Sequence, residues 1–84
     1  MEATKEVTLD GVPVTHGLRV WDYDLRPGMV DLTHTKPSDW EPSSMYPGRT
    51  TLWFRVIGPQ QGPRGSLMNA ERCWVKHPFT GERA

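Results

Sequence analysis

The sequence predicts a small all-β domain, and three observations lead to this prediction. The chain has 84 residues, which is enough for one domain with a modest core. Eight glycines and eight prolines divide it into short segments, which excludes long helices. The segments between them are rich in β-branched and aromatic residues, as is typical of strands joined by turns. We therefore interpret residues 1–84 as a single domain.

The first half of the chain contains two predicted hairpins. Asp10-Gly11 separates two short apolar runs and is a strong signal for a tight hairpin over residues 7–14. The second hairpin joins a strand over residues 18–23 to a strand over residues 29–33, with a turn at Arg26-Pro27-Gly28. Alternation predicts inner faces that carry Leu18, Val20, Val30 and Leu32.

A long loop and the strongest strand follow. Residues 35–50 hold three prolines, and they predict an irregular loop. Residues 51–57 alternate between apolar and other side chains, so we expect a central strand there. Its predicted inner face carries Leu52, Phe54 and Val56, and its outer face carries Trp53 and Arg55.

The end of the chain predicts smaller elements. A glycine-rich turn leads to a short strand over residues 66–68, and residues 69–71 match a single helical turn. A last strand over residues 72–76 places Cys73 and Val75 opposite Trp74. Residues 79–84 form a polar tail that we expect to be loosely held.

The order of these elements resembles an SH3-like barrel of the Tudor or KOW type. Gly17-Leu18-Arg19-Val20-Trp21 followed by Pro27-Gly28-Met29-Val30 is similar to the opening of such barrels, and Leu67 to Val75 is similar to their closing element. The resemblance covers residues 17–76. It implies a small five-stranded barrel with residues 7–14 as an added N-terminal hairpin and residues 35–50 as one long loop.

A second resemblance concerns the style of the chain. Its preference for arginine over lysine and its ending, residues 77–84, resemble small proteins of unassigned function encoded by actinobacterial phages. The resemblance implies a viral protein that acts on a host protein in the host cytoplasm. It carries over no catalytic or binding residues.

Composition narrows the function classes further. Ten basic and ten acidic residues with 36% hydrophobic residues are too balanced and too apolar for a disordered chain. No run approaches the roughly 18 apolar residues of a membrane span. Residues 1–6 lack the apolar stretch of a secretion signal, and one cysteine cannot form an internal disulfide. We therefore expect a soluble cytoplasmic protein with no membrane contact.

One pair of residues matches part of a zinc site. Cys73 and His77 have a Cys-x-x-x-His spacing, with His16 and His34 as distant partners. Structural zinc needs four ligands that arrive as two close pairs, and only one pair exists here. We therefore interpret Cys73 as a buried packing residue.

Three carboxylates form a second metal pattern. Asp22 and Asp24 share a face, and Asp31 lies across the predicted hairpin, a trio that suits a hard divalent cation. Acidic residues also favour turns and strand ends. We prefer the turn interpretation and predict no metal and no cofactor.

Motifs of catalysis are missing from the sequence. It contains no Gly-x-Ser-x-Gly, no His-Glu-x-x-His and no glycine-rich phosphate loop. A barrel of this size fills its interior with its own side chains. We therefore expect that the protein is not an enzyme.

Charge is unevenly distributed along the chain. Residues 1–42 carry eight acidic and four basic side chains, and residues 43–84 carry two acidic and six basic ones. The basic half offers a nucleic-acid surface, because arginine binds phosphate while aromatic rings stack on bases. The residues of this alternative are Arg55, Arg72, Trp74 and Lys76. The neutral total charge favours simple pairing of the two halves.

Aromatic residues predict a protein interface. Four tryptophans, two tyrosines and two phenylalanines exceed what a core of this size buries. Exposed aromatics near arginine are typical of interface anchors. The predicted partner-binding residues are Trp21, Tyr23, Trp40, Tyr46, Trp53 and Arg55. Two alternatives stay open: the long loop folds back so that Trp40 or Tyr46 covers Trp21 and Trp53, or the face is covered by a second copy of the chain.

Overall fold

Two antiparallel sheets form the structure, which confirms the all-β class. The computed structural model describes residues 6–33, 35, 39–43 and 45–84. Within them, the elements are β1 (Arg19–Trp21), β2 (Pro27–Asp31), β3 (Trp40–Pro42), β4 (Thr50–Leu52), β5 (Phe54–Ile57), β6 (Ser66–Met68) and a 3-10 helix (Ala70–Arg72). The larger sheet has the order β1-β2-β5-β6, and β3 pairs with β4 in the smaller one. None of the described helical segments is long and apolar enough to cross a membrane.

The core lies on the inner face of the larger sheet and confirms the alternation of its strands. Val30 and Val56 are cross-strand partners at the centre of the sheet, and both are fully buried. Leu18 is partly buried and packs against the same cluster. The other buried apolar side chains are Val14, Val20, Leu32, Leu52, Phe54, Ala70, Cys73 and Val75.

The predicted strand over residues 51–57 is divided at Trp53. Strand β4 pairs with β3, whereas β5 pairs with β2 and β6. The division occurs because the Trp53 N–H donates to the carbonyl of Asp39 at 2.8 Å and so does not join the larger sheet. β5 is nevertheless an internal strand, as predicted.

The segment predicted as an irregular loop contains β3, so that prediction is wrong for residues 40–42. Trp40 pairs with Leu52, and Pro42 pairs with Thr50. All three residues of β3 are exposed. An exposed strand shows no alternation, and Pro42 is tolerated because β3 has an open edge. Because of these two features, the amino-acid pattern does not predict this strand.

The turn between β1 and β2 lies at residues 22–26, and the prediction of a turn at residues 26–28 is wrong. Pro27 already begins β2. The carboxylate of Asp22 is buried, and its Oδ1 accepts hydrogen bonds from the backbone N–H groups of Asp24 and Arg26, both at 2.9 Å. Gly28 does not form the turn. It allows β2 to pack closely on Val56, because a Cβ at this position would lie 2.6 Å from Val56 Cγ1.

The N-terminal hairpin joins the core to the end of the chain. The chain reverses at Asp10-Gly11, where Gly11 has a φ of 83° and the Thr8 N–H donates to the carbonyl of Val12 at 2.8 Å. Outside the hairpin, the Leu9 N–H donates to the carbonyl of Cys73 at 3.1 Å. The hairpin is therefore held directly against the closing segment.

The closing segment pairs with β1, and the tail follows it. Trp21 and Trp74 exchange two backbone hydrogen bonds of 2.6 and 3.0 Å. The tail predicted to be loosely held, residues 79–84, makes specific contacts: the His77 N–H donates to the carbonyl of Glu82 at 2.7 Å, and Trp21 Nε1 donates to the same carbonyl at 2.9 Å.

Candidate aromatic and arginine surface

Three aromatic rings and one guanidinium group meet on one surface. Arg72 Cζ lies 5.3 Å from the ring centre of Tyr23 and 5.4 Å from that of Trp53. The rings of Tyr23 and Trp74 are stacked, with centres 6.2 Å apart and planes inclined by 11°. We call Tyr23, Trp53, Arg72 and Trp74 the aromatic ladder.

Four separate segments supply the aromatic ladder. Tyr23 belongs to the β1–β2 turn, which the buried Asp22 holds in shape. Trp53 stands at the division between β4 and β5. Arg72 ends the 3-10 helix, whose first turn is capped by the side chain of Asn69. Trp74 follows two residues later and is placed by its pairing with β1.

Arg72 carries a charge that has no acidic partner among the residues that the structure describes. Among the described residues, its guanidinium group forms no ion pair and no hydrogen bond. Its contacts are the faces of two rings, which attract a cation through their quadrupoles. Tyr23 is 56% exposed, and Arg72 is partly exposed. The donors of the guanidinium are therefore available to another molecule.

Two small clefts flank the aromatic ladder. The Trp53 cleft, of about 150 Å³, is bounded by Trp53, Arg55 and Asp39 among others. The Tyr23 cleft, of about 110 Å³, is lined by Tyr23, Met45, Glu71 and Arg72. Arg55 Nη1 donates to the carbonyl of Arg64 at 3.0 Å, which draws this guanidinium toward the β5–β6 loop.

The structure divides the predicted partner-binding residues into two groups. Tyr23 and Trp53 belong to the aromatic ladder, and Arg55 lines the cleft beside it. The others lie elsewhere: Trp21 packs edge-on against His77, Trp40 is exposed on β3, and Tyr46 lies under the guanidinium of Arg49.

The alternative in which Trp40 or Tyr46 covers two other tryptophans finds no support among the described residues. Their ring contacts show His77 against Trp21, with centres 4.9 Å apart, and Arg72 over Trp53. The described neighbours of the two rings are thus His77, which precedes the tail, and Arg72 of the 3-10 helix.

Two residues of the nucleic-acid alternative belong to the aromatic ladder. These are Arg72 and Trp74, whereas Lys76 is exposed and the Arg55 guanidinium is directed to the Arg64 carbonyl. The aromatic ladder therefore combines residues of the protein-binding prediction with residues of its nucleic-acid alternative. No spacing along the chain indicates that positions 23, 53, 72 and 74 meet, because the β1 pairing and the division at Trp53 bring them together.

The residues of the zinc pattern are engaged in structural contacts. Cys73 is fully buried, and burial, with a further contribution from the charges of Asp10 and Asp22, raises the pKa of its thiol to about 12. His77 Nδ1 accepts the backbone N–H groups of Phe79 and Thr80. His34 lies outside the described residues.

The carboxylate pattern is also used by the fold. Asp22 accepts backbone N–H groups, and Asp31 Oδ1 accepts the N–H and the hydroxyl of Thr33. His16, from the zinc pattern, accepts the Leu32 N–H through Nδ1 at 3.1 Å. No group of three or more potential ligands is gathered in the part of the chain that the structure describes.

Comparison with known proteins identifies no relative. No protein-family model matches the sequence. No curated protein and no solved structure is significantly similar to the chain. The function of the chain is therefore inferred from the geometry of the aromatic ladder.

Proposed function

We propose that this chain is a non-enzymatic protein-binding module that binds its partner through the aromatic ladder. The observation that carries the proposal is the position of Arg72 between Tyr23 and Trp53 without an acceptor among the described residues. Aromatic residues and arginine are the residue types enriched at the centres of protein interfaces. A carbonyl of the partner binds the guanidinium donors while its apolar side chains pack on the rings.

The size of the clefts supports binding over catalysis. Ligand pockets usually enclose about 300–1,000 Å³. The two clefts beside the aromatic ladder have about 150 and 110 Å³. The thiol of Cys73 is buried, with a pKa far above neutral, so it is not a nucleophile at physiological pH.

We further propose that the fold is an SH3-like barrel. In this proposal, the five barrel strands are β1, β2, β5, β6 and residues 73–75, and β3 with β4 extends one loop. The pairing of Trp21 with Trp74 after the 3-10 helix supports it, because this contact joins the last segment to the first strand. The resemblance to phage proteins supports a host protein in the host cytoplasm as the partner.

Nucleic-acid binding is the second candidate function. It is favoured by Arg72 and Trp74, which lie together in the aromatic ladder. The flanking clefts weigh against it because their charge is mixed: Asp31 and Asp39 line one of them together with Arg55, and Glu71 lines the other together with Arg72. A nucleic-acid surface is usually clearly basic. A protein partner therefore fits the surface better.

A random peptide library, selected on the immobilised protein, tests the protein-binding proposal. We expect Trp53→Ala and Arg72→Ala each to lower the affinity for the selected peptides by about tenfold or more. The reason is that removal of an interface anchor costs a few kcal/mol of binding free energy. Trp40→Ala is the matched control, because Trp40 is exposed outside the aromatic ladder. Equal losses in the control and the ladder variants would contradict the proposal.

The nucleic-acid candidate is tested by tryptophan fluorescence. The protein is titrated with random single- and double-stranded DNA and RNA at low and high salt. Phosphate contacts give a saturable change that weakens steeply with salt. Such a change, lost in Arg72→Ala, would replace the protein-binding proposal with the nucleic-acid one, and no change at low salt would remove nucleic acid from consideration.

A further inference from the structure

A larger cleft lies on the other side of Glu71 from the aromatic ladder. It has about 210 Å³ and is formed by the N-terminal hairpin, the β3–β4 turn and the 3-10 helix. Glu71 lines both this cleft and the Tyr23 cleft, so the two are adjacent. We call the larger one the hairpin cleft.

Apolar side chains surround the hairpin cleft. Val7, Leu9 and Tyr46 all line it and are 49%, 37% and 48% exposed. Three large apolar side chains that remain exposed around one depression are typical of an interaction site. They suit a partner segment that has apolar side chains of its own.

One carboxylate of the hairpin cleft lacks a hydrogen-bond donor among the described residues. Glu6 is not that group, because its side chain is only 8% exposed and its Oε1 accepts the Leu52 N–H at 3.1 Å. Glu71 Oε2 accepts the hydroxyl of Ser43, whereas its Oε1 is buried and has no hydrogen-bond partner in the part of the chain that the structure describes. A buried carboxylate oxygen without a donor is costly, and a cationic donor would stabilise it most.

The arginine of the hairpin cleft does not supply that donor. Arg49 Cζ lies 5.3 Å from the ring centre of Tyr46. Among the described residues, Arg49 forms no ion pair. The cleft therefore presents the Glu71 carboxylate without a cationic partner among the described residues, and its guanidinium group is directed to a ring.

We propose that the hairpin cleft binds a lysine or arginine side chain of the same partner segment that covers the aromatic ladder. This inference rests on the proposed function, because Glu71 connects the two surfaces. The cationic head of the side chain donates to Glu71, while its methylene groups and an apolar neighbour pack on Leu9 and Tyr46. The partner is thus an extended segment that combines apolar and basic residues.

The experiment uses peptides selected from a random library on the wild-type chain. We expect the enriched sequences to share a basic residue close to an apolar one. Glu71→Gln keeps the size of the side chain and an acceptor for Ser43 but removes the charge. We expect it to weaken a selected peptide by about tenfold in a fluorescence anisotropy titration. Glu82→Gln is the matched control, since it removes the same charge from the exposed tail.

A second peptide separates a direct contact from a general charge effect. Its lysine is replaced by norleucine, which keeps the four side-chain carbons without the ammonium group, or its arginine by citrulline, which keeps the side-chain length. Either change removes the charge. We expect the neutral peptide to bind the wild-type chain about tenfold more weakly than the parent peptide. It should bind Glu71→Gln as well as it binds the wild type, because the two changes remove one interaction.

The outcomes distinguish the inference from the function on which it rests. Loss of binding in Trp53→Ala with none in Glu71→Gln would overturn the inference and leave the protein-binding proposal in place. Enriched peptides without a basic residue would do the same. If neither variant weakens binding, or no peptide is enriched, the protein-binding proposal is wrong and the inference falls with it. A dimer in sedimentation that Leu9→Ser abolishes would show that a second copy is the occupant instead.

Discussion

The hairpin tip and the aromatic ladder use charged side chains in opposite ways. At the tip, the Asp10 carboxylate accepts hydrogen bonds from the hydroxyl of Thr8 and from the backbone N–H groups of Val75 and Lys76. In the ladder, the Arg72 guanidinium contacts only rings among the described residues. A charge that binds its own backbone stabilises the fold, whereas a charge beside an exposed ring and a partly exposed one suits binding to a partner.

The β1–β2 turn shows both uses in adjacent residues. Asp22 is only 1% exposed, and it accepts hydrogen bonds from two backbone amides and from the side chain of Gln61. Tyr23, the next residue, is 56% exposed and enters the aromatic ladder. The buried carboxylate thus holds the turn that presents the exposed ring. Stability and binding should therefore respond to different substitutions.

The largest expected effect concerns Cys73, which lies against the hairpin tip. Burial raises the pKa of its thiol to about 12, so at pH 8 its thiolate is roughly a thousandfold scarcer than in an ordinary cysteine. We expect a disulfide reagent to modify native protein slower than urea-unfolded protein by at least that factor. Fast modification of the native chain would show that the hairpin tip opens readily. It would contradict the view that the charged groups at the tip stabilise the fold.

Asp22→Ala should cause the next largest effect. The substitution leaves the backbone N–H groups of Asp24 and Arg26 without their acceptor and removes one of the three acceptors of Gln61 Nε2, so we expect a loss of about 3 kcal/mol in the free energy of unfolding. Urea unfolding measures it. Asp24→Ala is the control, because Asp24 is exposed. Equal stability of the two variants would mean that the buried carboxylate does not hold the turn.

The pH dependence of stability in Asp10→Asn tests the role of this carboxylate at the hairpin tip. Burial acts to raise the pKa of Asp10, but hydrogen bonds from Thr8, Val75 and Lys76 outweigh it and lower the pKa below 3.8. The ionised Asp10 carboxylate therefore makes its full contribution to the free energy of unfolding above about pH 4. This contribution is lost as the pH falls through the lowered pKa. We expect Asp10→Asn to lose about 1 kcal/mol at pH 7 and to approach the wild type at pH 2 in urea unfolding. A difference that does not depend on pH would contradict this origin.

Arg72→Ala should have the smallest effect on stability. Its cation–π contacts are partly exposed, so we expect the free energy of unfolding to change by about 1 kcal/mol or less. The same variant should weaken selected peptides by about tenfold. Arg26→Ala provides a control, since Arg26 is exposed and lies outside the ladder. A large loss of stability in Arg72→Ala would make this residue structural and remove the contrast with Asp10.

Local patterns predicted much of the larger sheet. Alternation along β2 and β5 placed Val30, Phe54 and Val56 in the core, where they are buried. The pattern was readable because one face of each strand meets the core and the other meets solvent. Alternation failed to predict β3, which is exposed throughout. The position of the β1–β2 turn was also missed, because the buried Asp22 carboxylate stabilises this turn, whereas glycine and proline usually mark turns in a sequence.

The candidate site was predicted only in its residue types. Tyr23 and Trp53 were predicted for a protein interface and Arg72 and Trp74 for the nucleic-acid alternative, and all four form one cluster. Two long-range events produce it: the pairing of Trp74 with β1 and the division of a strand by the bond from Trp53 to Asp39.

Short-range sterics and burial determine which side of a strand a residue occupies, and they leave a periodic record in the amino-acid order. The meeting of distant segments depends instead on backbone pairing and packing across the whole fold. Those contacts have no fixed spacing along the chain. The all-β class and the inner faces could therefore be derived from this sequence, whereas the aromatic ladder and the hairpin cleft became visible only in three dimensions.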